Sequence, residues 1–469
     1  MNSLANNLSY SERFAQLAQL QQEHAVMRQT KLDLQDEKVE PCMRQYGYPV
    51  SAWPVIISQK KVAQMEQFNR AIPPLFVKAV KLMFGNDMAA FVAYLHESEM
   101  LFQVLQNTEL DTRQVLFRHD AVFSQHNLKL LEVNAGATIG GWQVGWLEPQ
   151  LKQVLAQFPE TANWAVHYRN AVDAMLAAMF SALEAIKPQA MGNVLFVVAE
   201  QDKLDDVMFL NAFSSAYNKM RPACFSYGKV LICNNWADLS FTRDGSLKHR
   251  DDEVDVVLLT LPEGVQIPQA LFVRMMAANL SKKLVMPDNM IYTFLGNKSL
   301  FAVCHEAKVL AGLSEEELAF VKRHLPYTCT MHEKEITWQS ECGLLSVLAS
   351  QYKDQFVIKK SHSMQGRDVY VGRYCSQAEW QEVLARYLNV DDWLLQEYCA
   401  PDLSLAPDRA GNLIEYAFVW GIFDTGGRYG GGFVRGMPVS NEKGVINSAT
   451  GAIEFAIFEE AQRKSKIKL

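Results

Sequence analysis

Two apolar runs separated by a short polar segment define a local structural unit in this chain. Residues 115–117 and 128–133 are rich in Val, Leu and Phe, and residues 124–127, Ser-Gln-His-Asn, favour a tight turn. Two strands joined in this way pair antiparallel. We therefore expect a β-hairpin over residues 114–133 and a fold that contains an antiparallel sheet.

Polar side chains occupy matched positions on the two predicted strands. Successive side chains of a strand point to opposite faces, so Arg118 and Asp120 share one face. Glu132 and Asn134 share the corresponding face of the second strand. If the hairpin turns about His126, Asp120 lies opposite Glu132, because their positions are symmetric about that residue. By the same symmetry Arg118 lies opposite Asn134, and the four polar groups converge.

Two carboxylates and an amide oxygen make a hard, all-oxygen ligand set of the kind that Mg²⁺ prefers. An arginine beside that set supplies a fixed positive charge for a terminal phosphate. The alternative is a solvated surface cluster in which Arg118 is the salt-bridge partner of Asp120 and Glu132. Because Leu130 and Leu131 immediately precede Glu132, the acid lies at the end of an apolar strand, which favours the metal site.

Composition excludes several classes of function. Hydrophobic residues make up 49% of the chain and charged residues 21%, as in ordinary globular proteins. The chain has 45 Lys and Arg against 52 Asp and Glu, and a net charge of −7 offers no general attraction for nucleic acid or an anionic membrane. The eight cysteines form no CxxC pair, and the sequence has no HExxH motif, which disfavours a zinc site.

Nothing in the sequence predicts a membrane protein. The longest apolar stretch, residues 171–186, contains Asp173 and Glu184 and is shorter than the roughly 20 residues of a membrane span. The first residues lack the basic start and apolar run of a signal peptide. We therefore expect a cytoplasmic protein.

The length predicts more than one domain, since domains average about 150 residues. Three buried-strand runs, at 193–198, 229–232 and 255–259, indicate a small α/β domain. Strand runs between residues 356 and 423 indicate an antiparallel, mixed α+β domain.

Helical spacing dominates the chain before the small α/β domain. It covers residues 54–99, where Pro73-Pro74 and Gly85-Asn86 are expected interruptions, and residues 147–185, which Pro159 is expected to divide. The predicted regions are a helical leader over 1–50, an N-terminal region with the hairpin and long helices over 51–190, the small α/β domain over 191–290, a region of helices and strands over 291–455 and a C-terminal tail over 456–469.

Basic and polar segments in the second half of the chain suit the phosphates of a nucleotide. Lys298 lies in a Gly-Asn-Lys segment, and Lys359 ends an apolar strand run, where an ammonium group can face a phosphate. An isolated lysine is more often a surface residue, so neither lysine is informative alone. The polar loop 360–368 contains Gln365 and Gly366, and its backbone amides can cover phosphates.

Two further segments fit a nucleotide site. The strand run at 393–395 leads into Gln396-Glu397, where backbone groups can meet a purine and a carboxylate can bind ribose hydroxyls. An ordinary strand that ends in solvent explains the same residues equally well. The glycine-rich stretch 426–432 leads into Arg435, and its glycines alternatively serve only a tight hairpin turn.

In this order, the segments resemble the circularly permuted ATP-grasp family, which includes the synthetase domain of glutathionylspermidine synthase and related carboxylate-amine ligases. In that family an R-x-D strand precedes a leucine-rich strand that ends E-x-N. Arg118 and Asp120 match the first motif, and Glu132 and Asn134 match the second. The second motif precedes the two lysines by more than 150 residues, which is the permuted order. The chain departs from the family at Lys360, where proline is usual, and its phosphate loop contains less glycine.

The resemblance implies a chain of mixed α+β and α/β class. Its expected architecture is a circularly permuted ATP-grasp fold with a small α/β, pre-ATP-grasp-like domain and a helical N-terminal region. Residues 291–455 would form the nucleotide-binding region, and ATP and Mg²⁺ would be the cofactors. The loop over 361–368 would close as a lid that excludes water.

The resemblance also implies a role for each matched residue. Asp120, Glu132 and Asn134 would hold Mg²⁺, and Arg118 and Arg435 would stabilise charge at the transferred phosphoryl group. Nucleotide binding would fall to Lys298, Lys359, Gln365, Gly366, Gln396 and Glu397. Thr138 and Trp142, which follow the metal strand, would border the acyl substrate.

The implied activity is ATP-dependent ligation of a small-molecule or peptide carboxylic acid to an amine. The reaction would pass through an acyl phosphate and release ADP and phosphate. Two alternatives remain: a nucleotide-binding regulatory or scaffold protein that does not ligate, and an ATP-dependent kinase of the same fold. The complete metal set argues against a protein that only binds.

Overall fold

The computed structural model describes residues 3–199, 209–261, 264–265, 267–362, 368–440 and 444–461. The protein is a mixed α+β chain with several sheets. The helices are α1 Ser3–Tyr10, α2 Glu12–Glu23, α3 Ala25–Gln29, α4 Pro41–Arg44, α5 Gln59–Phe84, α6 Met88–Leu95, α7 Glu99–Asn107, α8 Glu148–Ala156, α9 Pro159–Ala162, α10 Ala171–Ile186, α11 Phe209–Met220, α12 Gln269–Leu280, α13 Met290–Phe294, α14 Ser299–His305, α15 Ala307–Gly312, α16 Glu315–His324, α17 Leu345–Gln351 and α18 Gln377–Tyr387. The strands are β1 Val55–Ile57, β2 Leu116–Ser124, β3 Asn127–Ala135, β4 Val166–Tyr168, β5 Val194–Val197, β6 Val230–Cys233, β7 Leu239–Phe241, β8 Leu247–His249, β9 Asp252–Glu253, β10 Val256–Leu259, β11 Thr328–Thr330, β12 Glu335–Trp338, β13 Glu341–Leu344, β14 Phe356–Lys360, β15 Val369–Val371, β16 Trp393–Glu397, β17 Leu403–Pro407, β18 Leu413–Thr425, β19 Tyr429–Pro438 and β20 Ile453–Glu460.

The largest sheet carries the predicted hairpin, β2-β3. Its eight strands follow the order β1-β20-β19-β18-β2-β3, with β17 beside β18 and β4 beside β20. β1 pairs parallel with β20, and the other pairs are antiparallel. Helices α5 and α10 contact β19, and both β18 and β19 are buried along most of their length. This sheet therefore forms the centre of the largest apolar core.

The hairpin turns through two residues, Gln125 and His126, whose backbone is left-handed with φ of 50° and 63°. Such turns match the right-handed twist of paired strands, although they strain residues other than glycine. Asp402 compensates for this strain, since its carboxylate accepts hydrogen bonds from the two backbone amides at 2.9 and 2.7 Å. The predicted hairpin and its tight turn are confirmed.

The register of the hairpin places Asp120 opposite Glu132 and Arg118 opposite Asn134, as predicted. The structural reason differs from symmetry about a single turn residue. The turn is centred between two residues, and the pairing shifts after Asp120, where Leu131 forms a bulge. A bulge adds one unpaired residue to a strand and redirects the side chains beside it. The bulge therefore brings the two carboxylates face to face.

A three-stranded parallel sheet, in the order β10-β5-β6, lies in the predicted small α/β region. Its strands occupy the three predicted runs, and all residues of β5 and β10 are buried. Their apolar side chains contribute to a separate core with α12. Strands covered on both faces appear in sequence as continuous apolar runs, which is why this region is recognisable from the sequence.

A four-stranded antiparallel sheet, in the order β11-β16-β14-β15, packs with α17 and α18 around another core. The strand runs predicted after residue 356 are strands in the structure, and they belong to two different sheets. β14, β15 and β16 belong to the four-stranded sheet, whereas β18 pairs with β2 in the eight-stranded sheet. A strand run does not reveal its pairing partners, because they lie far away in sequence.

Several local predictions differ from the structure. Residues 55–57, in a stretch predicted as helical, form β1. Helix α5 continues through Pro73 and Pro74, because burial of neighbouring residues such as Phe76 stabilises a helix that lacks two backbone donors. Residues 166–168, predicted as helical, form β4. Residues 456–460, predicted as part of a tail, continue β20 in the buried sheet. In the described part of the chain, no helix has the length and apolar character needed to cross a membrane.

Candidate functional site

Two cavities lie beside the β2-β3 hairpin. The smaller has a volume of about 160 Å³ and lies between β2, β3, β18 and β19 of the eight-stranded sheet and β14 and β16 of the four-stranded sheet. Its charged lining residues are Asp120, Glu132, Lys298, Lys359, Glu397 and Arg435. Its apolar lining includes Val122, Val419 and Cys399, which pack together. An apolar wall beside several buried charges suits a ligand that has both a ring system and anionic groups.

Two arginines bind one carboxylate at the edge of this cavity. Arg118 binds Asp120 through two hydrogen bonds of 2.7 and 3.0 Å, and Nη2 of Arg435 lies 2.7 Å from Oδ2 of Asp120. Burial opposes ionisation of Asp120, but the two guanidinium groups outweigh it and hold the pKa of this carboxyl well below its usual range. The carboxylate is therefore charged at neutral pH.

Both arginines lie near the aromatic ring of Phe433. Its ring centroid lies 5.7 Å from the guanidinium carbon of Arg118 and 5.7 Å from that of Arg435. Glycine is required at two places around this ring, because a Cβ atom at Gly141 or Gly421 would overlap it. Gly141 also has a φ of 96°, which other residues rarely adopt.

The two predicted lysines face the same cavity from different elements. Lys298 immediately precedes α14, and its Nζ lies 3.3 Å from Oε2 of Glu132. Lys359 lies on β14, and its Nζ donates a 2.8 Å hydrogen bond to the carbonyl oxygen of Leu131, the bulge residue. Burial and, secondarily, the positive charge of Lys298 lower the pKa of Lys359 to about 7. A negative ligand would therefore favour the charged form of Lys359.

The predicted metal ligands Asp120, Glu132 and Asn134 lie close together on the hairpin. They differ in how many of their oxygen lone pairs already accept hydrogen bonds from the protein. The Glu132 side chain is 33% exposed. Asn134 donates a 3.3 Å hydrogen bond from its amide nitrogen to the carbonyl oxygen of Arg118, which leaves its amide oxygen for other partners. Asp120 already has three contacts to arginine nitrogens, so about one of its four lone pairs is left.

This donor set fits Mg²⁺ better than a metal that requires a complete protein cage. Within the described ranges, no group of three or more His, Cys, Asp and Glu residues is arranged to hold a metal ion. Mg²⁺ is commonly bound through one or two carboxylates together with substrate phosphates. Glu132, the remaining lone pair of Asp120 and the amide oxygen of Asn134 are compatible with that mode.

Gln396 and Glu397, the predicted contacts to the base and the ribose, already form hydrogen bonds with other residues of the protein. Gln396 and Glu397 both line the smaller cavity. Gln396 is buried, and its Nε2 donates to Oγ1 of Thr328 at 3.0 Å. The Glu397 carboxylate accepts hydrogen bonds from the backbone amide of Tyr327 at 3.3 Å and from Nε2 of Gln339 at 3.0 Å. Its remaining lone pairs are the ones that could meet a ribose.

Two predicted nucleotide contacts, Gln365 and Gly366, lie outside the described residues. The same holds for residues 363–367 of the predicted lid. At the borders of this segment, the backbone amide of Ser361 donates a hydrogen bond to the carbonyl oxygen of Asp392 at 2.7 Å. The backbone amide of Lys360 donates a hydrogen bond to the carbonyl oxygen of Asp368 at 3.1 Å.

The larger cavity has a volume of about 830 Å³ and adjoins the arginine pair. Thr138 and Trp142, the two predicted substrate contacts, both line it. Arg118 donates a 2.9 Å hydrogen bond from Nη1 to the carbonyl oxygen of Gly140, another lining residue. Arg118 therefore contacts the boundary of the larger cavity through Gly140 and that of the smaller cavity through Asp120.

Sequence reasoning missed Glu454, a buried carboxylate on β20 that pairs across the strands with Arg435. It accepts hydrogen bonds from the hydroxyl groups of Tyr46 at 2.5 Å and Ser448 at 2.6 Å. Burial raises the pKa of Glu454. No local motif marks this residue, because its partners come from distant segments of the chain.

A second missed residue, Asp288, positions the loop that follows β3 and lines the larger cavity. Its Oδ1 accepts a 2.6 Å hydrogen bond from the backbone amide of Ala137, and its Oδ2 accepts a 2.9 Å bond from that of Leu259. Gly136 has no room for a Cβ atom because Oδ1 of Asp288 occupies that space. Burial raises the pKa of Asp288 to about 6. This carboxyl group ties the loop after β3 to the end of β10.

No protein-family model and no curated protein matches the sequence. Among solved structures, the chain is similar to a glutathione synthetase-like effector, GSS30, from Globodera pallida, in its apo form. The TM-score is 0.54 at 12% sequence identity, and the match covers 94% of this chain and 96% of the other. At such low identity the similarity concerns the fold alone. The neighbour belongs to the ATP-grasp-like fold, and the architecture of this mixed α+β chain is consistent with that fold.

Proposed function

We propose that the protein is an ATP-dependent ligase that joins a carboxylic acid to an amine, on a circularly permuted ATP-grasp fold. The observation that carries the proposal is the group of buried cations around the smaller cavity. Lys298, Lys359 and Arg435 line it and are only 7%, 5% and 6% exposed. Buried charges are costly unless opposite charges and hydrogen-bond acceptors meet them. The phosphates of ATP would supply both.

The hydrogen-bonding capacity of these cations supports the same proposal. Among the described residues, Nε of Arg435 is buried without an acceptor. The ammonium group of Lys359 has three donor hydrogens, and it donates one hydrogen bond to the carbonyl oxygen of Leu131. Phosphate oxygens at this point would satisfy the remaining donors. The apolar wall formed by Val122 and Val419 would then face the purine ring.

In this proposal Glu132, Asn134 and the remaining lone pair of Asp120 would hold Mg²⁺. When bound, the ion would neutralise charge on the β- and γ-phosphate oxygens. Lys298 and Lys359 would hold the other phosphates, and the order of these segments along the chain would be the permuted one. The fold shared with a glutathione synthetase-like protein supports this assignment.

The chemistry requires orientation and charge stabilisation more than a protein nucleophile. A carboxylate oxygen of the acid would attack the γ-phosphorus of ATP. The bond between this phosphorus and the β–γ bridging oxygen would break, which gives an acyl phosphate and ADP. The amine nitrogen would then attack the acyl carbon. The bond between this carbon and the phosphate oxygen would break, and phosphate would leave. The proton lost by the amine would pass to solvent. Arg118 and Arg435 would stabilise the charge on the transferred group.

The test is Mg²⁺-dependent release of ADP with a panel of carboxylic acids and amines, combined with mass analysis of the products. Glu132→Ala should abolish turnover, because it removes the most accessible carboxylate of the metal set. A matched control is Glu341→Ala, an exposed glutamate on β13 that lines neither cavity. It should retain full activity.

The products distinguish the ligase from its alternatives. ADP release that needs both an acid and an amine, with formation of an amide, supports the ligase. A phosphorylated product without an amide would instead identify a kinase. Nucleotide binding without turnover across the panel would identify a binding protein, and no nucleotide binding at all would contradict the assignment of the smaller cavity.

A further inference from the structure

The chemical character of the larger cavity restricts what can bind there. Its lining, as far as the structure describes it, contains no Asp, Glu, Lys, Arg or His side chain. The polar lining groups are uncharged, for example Thr138, Gln143, Thr260 and Thr425. Removing a charge from water is costly without a partner of opposite sign. Along the described lining, a ligand therefore finds no ionic partner for charges on its body.

The apolar part of the lining is unusually aromatic. Trp142 meets Trp146 edge to face at a centroid distance of 4.8 Å and meets Phe213 at 4.9 Å. Phe196 from β5 meets Phe213 at 4.9 Å. These four rings come from the segment after the glycine-rich loop and from the small α/β domain. Together they form a continuous aromatic wall that favours flat or aliphatic groups.

One place at the border of this cavity is charged. Arg118 contacts it through the 2.9 Å hydrogen bond to the carbonyl oxygen of Gly140. Arg118 also belongs to the arginine pair that faces the smaller cavity through Asp120. A ligand that fills the aromatic cavity and carries one carboxylate can place that group toward Arg118. In the proposed ligase this position would adjoin the phosphate to be transferred. An amine in the same position would face a positive charge.

We propose that the larger cavity binds the acid substrate, and that this acid has an uncharged, aromatic or aliphatic body and a single carboxylate. The proposal rests on the proposed ligase function and specifies the class of its acid. It separates the substrate from charged peptides such as glutathione, whose second carboxylate and ammonium group would lack partners along the described lining. The volume of about 830 Å³ is in the range of small-molecule sites.

The test is equilibrium binding by titration calorimetry to the full chain, first without nucleotide. The probes are 3-phenylpropanoate, the matched amine 3-phenylpropylamine, the dicarboxylate glutarate, and glutathione. We expect 3-phenylpropanoate to bind at least tenfold more tightly than the other three probes. Equal or tighter binding of glutarate or glutathione, preference for the amine, or no binding of 3-phenylpropanoate would each overturn the proposal.

Two matched substitutions locate the bound acid. Trp142→Ala removes part of the aromatic wall and should weaken binding of 3-phenylpropanoate at least tenfold. Trp236→Ala removes another half-buried tryptophan, which packs in the small α/β core and does not line the cavity, and should leave binding unchanged. Circular dichroism of both variants checks that each is folded. Equal losses in two folded variants would contradict the location.

Nucleotide binding in the same samples separates this proposal from the ligase assignment. If Mg²⁺-ATP binds and an amide forms, but glutarate or glutathione binds and 3-phenylpropanoate does not, the acid class proposed here is wrong and the ligase assignment stands. If 3-phenylpropanoate binds as expected but ATP does not, the ligase assignment fails and the cavity remains a site for apolar acids.

Discussion

The ammonium group of Lys359 donates a 2.8 Å hydrogen bond to the carbonyl oxygen of Leu131, the residue that bulges from the β2-β3 hairpin. This bond joins the four-stranded sheet to the eight-stranded sheet across the smaller cavity. The bulge that aligns Asp120 with Glu132 therefore also presents a backbone acceptor to a buried lysine. One irregularity in a strand serves both sides of the candidate site.

Replacing Lys359 with Met should weaken nucleotide binding without unfolding the protein. Hydrogen bonds to charged groups contribute about 1.5–3 kcal/mol, so the dissociation constant for Mg²⁺-ATP should rise at least tenfold. The melting temperature should change little, because Met removes a costly buried charge while keeping a similar volume. Lys360→Met is the control, since adjacent strand residues point to opposite faces and Lys360 does not line the cavity. Equal weakening by both substitutions would contradict the assigned role.

The affinity for nucleotide should fall as the pH rises above neutrality. Because the pKa of Lys359 is lowered to about 7, a growing fraction of the free protein carries a neutral amine above that pH. Phosphates bind the charged form, so binding takes up a proton, and affinity falls by at most about tenfold per pH unit. Lys359→Arg stays charged and should flatten this dependence. Titrations of both proteins at pH values from about 7 to 9 test it, and parallel profiles would contradict it.

Asp120→Asn should destabilise the protein strongly, because it leaves Arg118 and Arg435 buried without their shared carboxylate. Breaking a buried ion pair from one side typically costs about 3–5 kcal/mol. The control is Asp238→Asn, whose partner Arg250 has a side chain 67% exposed, and it should cost less than about 1 kcal/mol. Urea unfolding of the two variants measures the difference. Similar free energies of unfolding would show that the arginine pair does not depend on this carboxylate.

Asp288→Asn should loosen the loop that follows β3 and lines the larger cavity. An asparagine keeps one acceptor oxygen for the amide of Ala137 or Leu259 and turns a donor toward the other, a loss of about 1–3 kcal/mol. The pKa of Asp288 is raised to about 6, so its favourable contribution is complete below the unfolded value of about 4 and is lost as the pH rises through about 6. The stability difference between wild type and variant should therefore be larger at pH 4 than at pH 7. Denaturant unfolding at both pH values measures it, and the opposite order would contradict the prediction.

Local patterns in the sequence predict several elements of the fold. The hairpin, the facing positions of Asp120 and Glu132, and the three strands of the small α/β sheet are all visible as short-range alternation or as continuous apolar runs. These features depend on the two-residue period of a strand and on whether it is covered on one face or two, and both are local properties.

Other features required the tertiary structure. Helix α5 continues through Pro73-Pro74 because distant residues bury its apolar face, and β18 joins the hairpin because pairing partners are chosen over long sequence distances. Asp288 and Glu454 acquire their positions from partners in separate segments, which no local motif records.

The charged residues of the candidate site, and the strands on which Arg118, Asp120, Glu132 and Asn134 lie, can thus be read from local sequence. Their environment cannot: two arginines bind Asp120, Lys359 is buried against the bulge, and aromatic rings from separate regions line a second cavity. Burial, charge compensation and cavity shape arise where elements distant in sequence pack together, whereas strand alternation and turns are properties of neighbouring residues.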